Sequence, residues 1–156
     1  MRRAERMVSQ GEARRLLDSS SYGVLSLVSP DGQPYGVPVN HVYVPQDNAV
    51  YIHCAQEGQK LDFLRENPKA SFTVVGSGQV IEEKFTTRYE SAIVQGRASL
   101  VEEEAEKVRA LELLCGRLTP SMVETQNAYI RASLSKVAVI RLEIREITGK
   151  RNRAGG

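Results

Sequence analysis

The stretch AVYIHCAQEGQK, residues 49–60, opens as a short β-strand, runs out through small and polar residues, and reaches a glycine and a lysine where a helix begins. Backbone N–H groups at a helix start point outward without partners, the helix dipole adds partial positive charge, and Lys60 can add a full one. The pattern suits an anion, and a phosphate first. A lone lysine at a helix start is more often solvated; here the preceding His53, Cys54, Ala55 and Gly58 favour the ligand.

Alternation on either side extends this into a fold. Ser9 to Glu12 has the S-x-x-E form of a capping box, with Ala13, Leu16 and Leu17 as the apolar stripe of a first helix. Residues 22–29 (YGVLSLVS) read as a strand, Pro30-Asp31-Gly32 as a turn, and 33–44 as the returning strand, with Tyr35, Val37, Val39 and His41 on one face. Pro38 interrupts it. A proline cannot donate to a sheet ladder, so this strand belongs at an edge, at a bulge or beside a ligand.

Strands at 49–54, 70–75, 89–101 and 137–147 follow, with a less regular stretch up to Arg88. Helices are expected at 60–66, stopped by Asn67-Pro68, at 102–115, and at 121–132, where Ser121 to Glu124 has the form of a second capping box. Six strands with helices inserted late predict a mainly β protein, a closed or nearly closed antiparallel barrel with peripheral helices. One domain over residues 1–149 is expected, with 150–156, which contains KRNR, as a mobile basic tail.

Composition narrows the function. The chain has 156 residues, 41% hydrophobic and 26% charged, with no apolar run long enough to span a bilayer. The basic N-terminus lacks the apolar segment and cleavage site of a secretory signal, so the cytoplasm is the expected location. A net charge of +2 and 6% aromatic residues argue against a nucleic-acid-binding surface. Cys54 and Cys115 are far apart in sequence, which fits neither a disulfide framework nor metal-ligand spacing. Cys115 reads as a small core residue and His41 as structural or interfacial, and Gly76-x-Gly78 lacks the third glycine of a dinucleotide fingerprint. His53 can carry a proton near neutral pH and stands beside the anion motif, so catalytic and structural roles are balanced there.

The order Val37-Pro38-Val39-Asn40, then Tyr51-Ile52-His53-Cys54-Ala55-x-x-Gly58-x-Lys60, Asn67-Pro68-Lys69-Ala70-Ser71-Phe72, TTRYESAIVQG from Thr86, and Ile147-Thr148-Gly149-Lys150 resembles the flavin-binding split-barrel proteins. Within the pyridoxamine 5'-phosphate oxidase-like superfamily it most resembles the nitroimidazole-resistance branch. The resemblance implies a six-stranded antiparallel split β-barrel and a homodimer with FMN between the subunits. It also implies reduction of small organic acceptors such as nitroimidazoles.

By that resemblance Val37, Pro38, Val39 and Asn40 run along the isoalloxazine edge, and His53, Cys54 and Ala55 along the ribityl chain and phosphate. Lys60 pairs with the phosphate, Tyr89 and Ser91 approach from the partner subunit, and His53 is the catalytic candidate. The branch usually carries serine at the position of Cys54, so a hydroxyl donor is replaced by a weaker thiol. The vitamin-pathway oxidase activity is disfavoured, because no arginine and histidine arrangement of its type occurs between Lys136 and Gly156. A non-catalytic flavin-binding module and a deazaflavin-dependent reductase of the same fold are the alternatives.

Overall fold

The alternations resolve into eight strands and four α-helices among residues 3–153, the residues described by a computed structural model of the chain. In order these are β1 (Met7–Val8), α1 (Gln10–Ser19), β2 (Tyr22–Val28), β3 (Pro34–Asn40), β4 (Val42–Val44), β5 (Ala49–Ala55), α2 (Gln59–Glu66) and β6 (Lys69–Ile81). Then come β7 (Thr86–Leu100), α3 (Glu104–Leu118), α4 (Val123–Ser133) and β8 (Val137–Asn152).

All strand pairs are antiparallel, and the sheet runs β3-β2-β6-β7-β8-β5-β4, with β1 added on β8. Its two end strands, β3 and β4, are separated in sequence by His41 alone. A sheet whose outermost strands are joined by one residue must curl round until they meet. They do not pair with each other, so the curled sheet stays split at that seam. This is the mainly β, split-barrel class expected, with eight strands rather than six.

Inside the curl a core forms from Leu25, Leu27, Val50, Ile52, Phe72, Val74, Val94, Ile140 and Leu142, with α1 supplying Ala13 and Leu17 and α2 supplying Leu61 and Leu64. A second core lies on the outer face of β4, β5 and β8, where Tyr51 and Val139 meet Leu111, Leu114 and Ile130 of α3 and α4. Burial of apolar area on both faces explains why β5 begins with four consecutive buried residues instead of alternating. Gly96 sits where β7 slips register against β8. A Cβ there would lie 1.9 Å from the Glu143 carbonyl oxygen, so only glycine permits the approach.

Pro38 lies on the edge strand β3, opposite Val24, where the missing N–H breaks no inner ladder. The Ser9–Glu12 capping box closes in both directions: the Ser9 hydroxyl accepts from the Glu12 N–H, and the Glu12 carboxylate accepts from the Ser9 N–H.

Four expectations need correction. The strand expected over 33–44 breaks at His41, whose ring is fully buried, donates from Nε2 to the Leu17 carbonyl at 2.8 Å and packs edge-on against Phe72. The second capping box does not form: α4 follows a 3₁₀ turn, Pro120–Met122, and its cap residue Met122 makes no side-chain bond.

The irregular stretch before Arg88 is instead a paired arm. Residues 78–81 of β6 lie against 86–89 of β7 across the turn Glu82–Lys84. Finally, Lys150, Arg151 and Asn152 are the end of β8 rather than tail. Arg151 joins Glu12 at 3.0 Å and Glu90 at 3.1 Å, so part of a charge run read as solvated ties α1 to β7. The rest of that expected tail, residues 154–156, lies outside the described residues.

Candidate flavin-phosphate site

Strand periodicity sorts the candidate residues. Along β5, Val50, Ile52 and Cys54 face the inner core, whereas Ala49 and Tyr51 face α3 and α4. His53 therefore emerges on the outer side and Cys54 on the inner side of the same strand end, with Ala55 exposed beyond them.

The chain then turns through Gln56, whose amide donates to the Ser135 carbonyl at 2.7 Å and fixes the loop against the segment after α4. Gly58 caps α2 at φ 136°, a conformation closed to residues with a side chain, and the space its Cβ would occupy is open. The first bonds of α2 run from the N–H groups of Leu61 and Asp62 to the Gly58 carbonyl. The N–H groups of Gln59 and Lys60 precede them and stand at the positive end of the helix.

Electrostatics agree with an anion there. Burial pushes the Cys54 thiol up and the Lys60 ammonium pulls it down, so lysine and thiol share one neighbourhood. Asp62, the acidic residue of the first turn, would oppose an incoming anion, but Arg65 holds it at 3.0 Å. A glycine cradle, two leading N–H groups, a half-buried lysine and a thiol form a donor set that fits a phosphate ester.

The other candidates are distributed around this cradle. Val37 and Val39 turn into the inner core, while Pro38 and Asn40 are exposed on the edge strand, with the Asn40 amide donating to the Ser21 carbonyl at 3.1 Å. Tyr89 and Ser91 are half-buried on β7, opposite Asn152 and Lys150. Ala55 pairs with Val137 at the other end of β8, so within one chain Tyr89 and Ser91 are remote from Lys60. Cys54 and Lys60 are thus brought together, His53 stands on the opposite face of the strand, and the β3 and β7 candidates lie elsewhere on the sheet.

Sequence reasoning missed the cavity beside His53. It measures about 340 Å³ and lies between the end of β5 and helices α3 and α4, with Leu111, Leu114, Cys115, Met122, Tyr129 and Ile130 among its walls. The helix at 102–115 and a structural Cys115 were legible, but nothing in the spacing shows that the helix leaves a hollow. Burial raises the Cys115 thiol and keeps it protonated.

Tyr51 was also missed. Its hydroxyl lies 2.8 Å from the carboxylates of both Asp47 and Glu106, which Arg109 and Arg141 pair in turn, and this network pins α3 to β5. Burial first, and then the two carboxylates, raise the Tyr51 hydroxyl far above its ordinary value. No group of His, Cys, Asp and Glu among the described residues is arranged to hold a metal, and no helix among them is long and apolar enough to cross a membrane.

Comparison with known proteins agrees with this architecture. Among solved structures the chain is similar to a candidate 5-nitroimidazole antibiotic resistance protein of Bacteroides thetaiotaomicron, at 22% identity and TM-score 0.78, over 92% of this chain and 85% of that one. It is similar to a conserved hypothetical protein of Mycobacterium tuberculosis at 21% identity and TM-score 0.82, over 99% and 92%. An FAD-binding protein of Mesorhizobium loti matches at 22% identity and TM-score 0.67, over 94% and 97%. At such identities the likeness is one of fold. No curated protein matches the chain. The family model described as pyridoxamine 5'-phosphate oxidase matches residues 9–151, nearly the whole length. With its split antiparallel sheet and peripheral helices, the chain belongs to the pyridoxamine 5'-phosphate oxidase family.

Proposed function

We propose that this protein is a homodimeric flavoprotein that binds FMN and reduces small organic acceptors, nitroimidazoles among them, in the cytoplasm. The observation that carries the reading is the cradle of Gly58, the leading N–H groups of α2 and Lys60 beside Cys54. A relative of the same fold described as an FAD-binding protein supports a flavin, and one described as a candidate nitroimidazole-resistance protein supports the acceptor class.

Bound flavin would supply hydride or electron transfer. The chain's part is to hold and shield it. Lys60 and the N–H groups of Gln59 and Lys60 take the phosphate, with Cys54 and Ala55 beside it. The exposed edge of β3, Val37 to Asn40, offers main-chain groups to the ring, and Tyr89 and Ser91 come from the second copy. His53, which lines the cavity on the other face of β5 from Cys54, is the proton carrier in this reading.

A second copy is supported by the outer face of the sheet. Pro38, Val24, Thr73, Ile93 and Thr148 stand opposite one another across five strands, and Tyr22 and Val75 extend the row at 62% and 64% exposure. This largely β-branched row, flanked on the same face by Ser26, Ser71, Gln95 and Glu146, is the kind of mixed surface that an isologous dimer covers.

Titration of FMN into wild type and Lys60→Ala tests the cradle. The variant is expected to bind about 1.5–3 kcal/mol more weakly, the worth of a hydrogen bond to a charged group. Equal affinity removes Lys60 from the site. His53→Ala is expected to slow turnover more than it lowers flavin occupancy, and the reverse pattern would make the imidazole a binding group only.

A further inference from the structure

The arm formed by residues 78–89 carries an aromatic ring that stands almost fully exposed among the described residues. Phe85 is 99% exposed and adopts φ 47°, ψ 43°, the left-handed conformation that disfavours bulky side chains. Val80 on the same arm is 66% exposed, and Val75 at its root 64%. The turn preceding Phe85 has a twin in this molecule: Pro45–Asp47 leads to Asn48 at φ 48°, ψ 44°. There the left-handed residue is an asparagine, a type suited to that conformation, and its side chain is bonded to Ile144 and Arg14. Phenylalanine at the equivalent place is strained and bare, which favours a contact outside the chain.

The complementary hollow is the apolar cavity beside His53. An engineered cavity of about 150 Å³ with apolar walls accepts benzene, and this one measures about 340 Å³. Within one molecule, arm and cavity lie at opposite ends of β8. The arm springs from the end of β8 at Asn152, the cavity opens at the end at Val137, and the 16 residues of β8 span roughly 50 Å of strand contour. A two-fold axis lying in the outer face and running across the strands would bring opposite ends of two copies together, and that face is continuous with the arm through Val75.

We propose that in the dimer Phe85 of each copy seats in the cavity of the other, against Leu114, Met122, Tyr129 and Ile130 and beside His53. This inference rests on the homodimer reading above. It adds to it that each His53 is enclosed only when the second copy is present.

The test uses the full chain. A photo-crosslinking phenylalanine analogue at position 85, in a mixture of isotopically heavy and light copies, is expected to attach to residues 111–133 of the other copy. Phe85→Asn, which suits the left-handed backbone, is expected to fold normally and to raise the dimer dissociation constant by a factor of about ten or more, as loss of a buried aromatic anchor does. Crosslinks within one copy, or to another region of the second, overturn the proposal. So does a Phe85→Asn dimer as tight as wild type, which leaves the homodimer reading standing. A wild type that sediments as a monomer at every concentration overturns both.

Discussion

Two turns of nearly identical backbone geometry close two hairpins of this sheet, and the molecule treats them in opposite ways. The turn between β4 and β5 is knitted into the body. Asp47 is held by Arg109 and Tyr51, the Asn48 amide donates to the Ile144 carbonyl at 2.9 Å, and Arg14 donates to the Asn48 side chain at 2.8 Å. The turn between β6 and β7 has exposed Glu82, Glu83 and Lys84, then Phe85. The same local conformation thus serves as a structural corner in one hairpin and as a projecting tip in the other. The neighbours, not the turn, decide which.

Substitutions at matched positions sharpen the contrast. Asn48→Ala forces an ordinary residue into the left-handed conformation and removes two side-chain bonds, so a loss of roughly 2–3 kcal/mol in urea unfolding is expected. Tyr51→Phe removes the hydroxyl between Asp47 and Glu106 and is expected to cost about 1 kcal/mol, because Arg109 and Arg141 still pair the two carboxylates. Phe85→Asn acts with the opposite sign, stabilising the monomer by roughly 0.5–1 kcal/mol as left-handed strain is relieved. A Phe85→Asn monomer less stable than wild type would break the comparison. Amide exchange adds a view without mutation: N–H groups of 79–88 should exchange well before those of 49–52.

The smallest effect concerns the seam between β3 and β4. Burial, opposed by the bond to Leu17, lowers the pKa of His41 from its ordinary 6.5. Above that value His41 is neutral whether the chain is folded or not. As pH falls below about 6.5 the unfolded chain takes up the proton first, so stability declines until the pH passes the lowered folded value. His41→Gln should flatten this part of the stability profile, and an unchanged slope would assign the pH dependence to other groups.

Much of this was legible where local chemistry decides. The Ser9–Glu12 box, the Pro30-Asp31-Gly32 turn and the stop at Asn67-Pro68 depend on residues a few positions apart, and the edge place of β3 follows from what Pro38 lacks. The break at His41 was hidden because alternation continues through it; the sheet's closure, not the sequence period, ends β3 there. Residues 76–88 carried two glycines and several charges that read as irregular, and pairing across the Glu82–Lys84 turn overrode them. Lys150 to Asn152 read as tail because the partners of Arg151, Glu12 and Glu90, lie far away in sequence. Within the site, Cys54 and Lys60 were readable as one cluster. The separation of His53 onto the other face follows from strand alternation, while its cavity depends on where α3 and α4 dock.

The central claim is that the Gly58–Lys60 cradle holds the phosphate of a flavin. It is tested most directly by the visible absorption spectrum of freshly purified protein, with the released chromophore identified by mass. The account predicts a yellow protein that releases FMN and a Lys60→Ala variant purified largely without it. A colourless wild type that takes up no flavin when supplied in excess would contradict it.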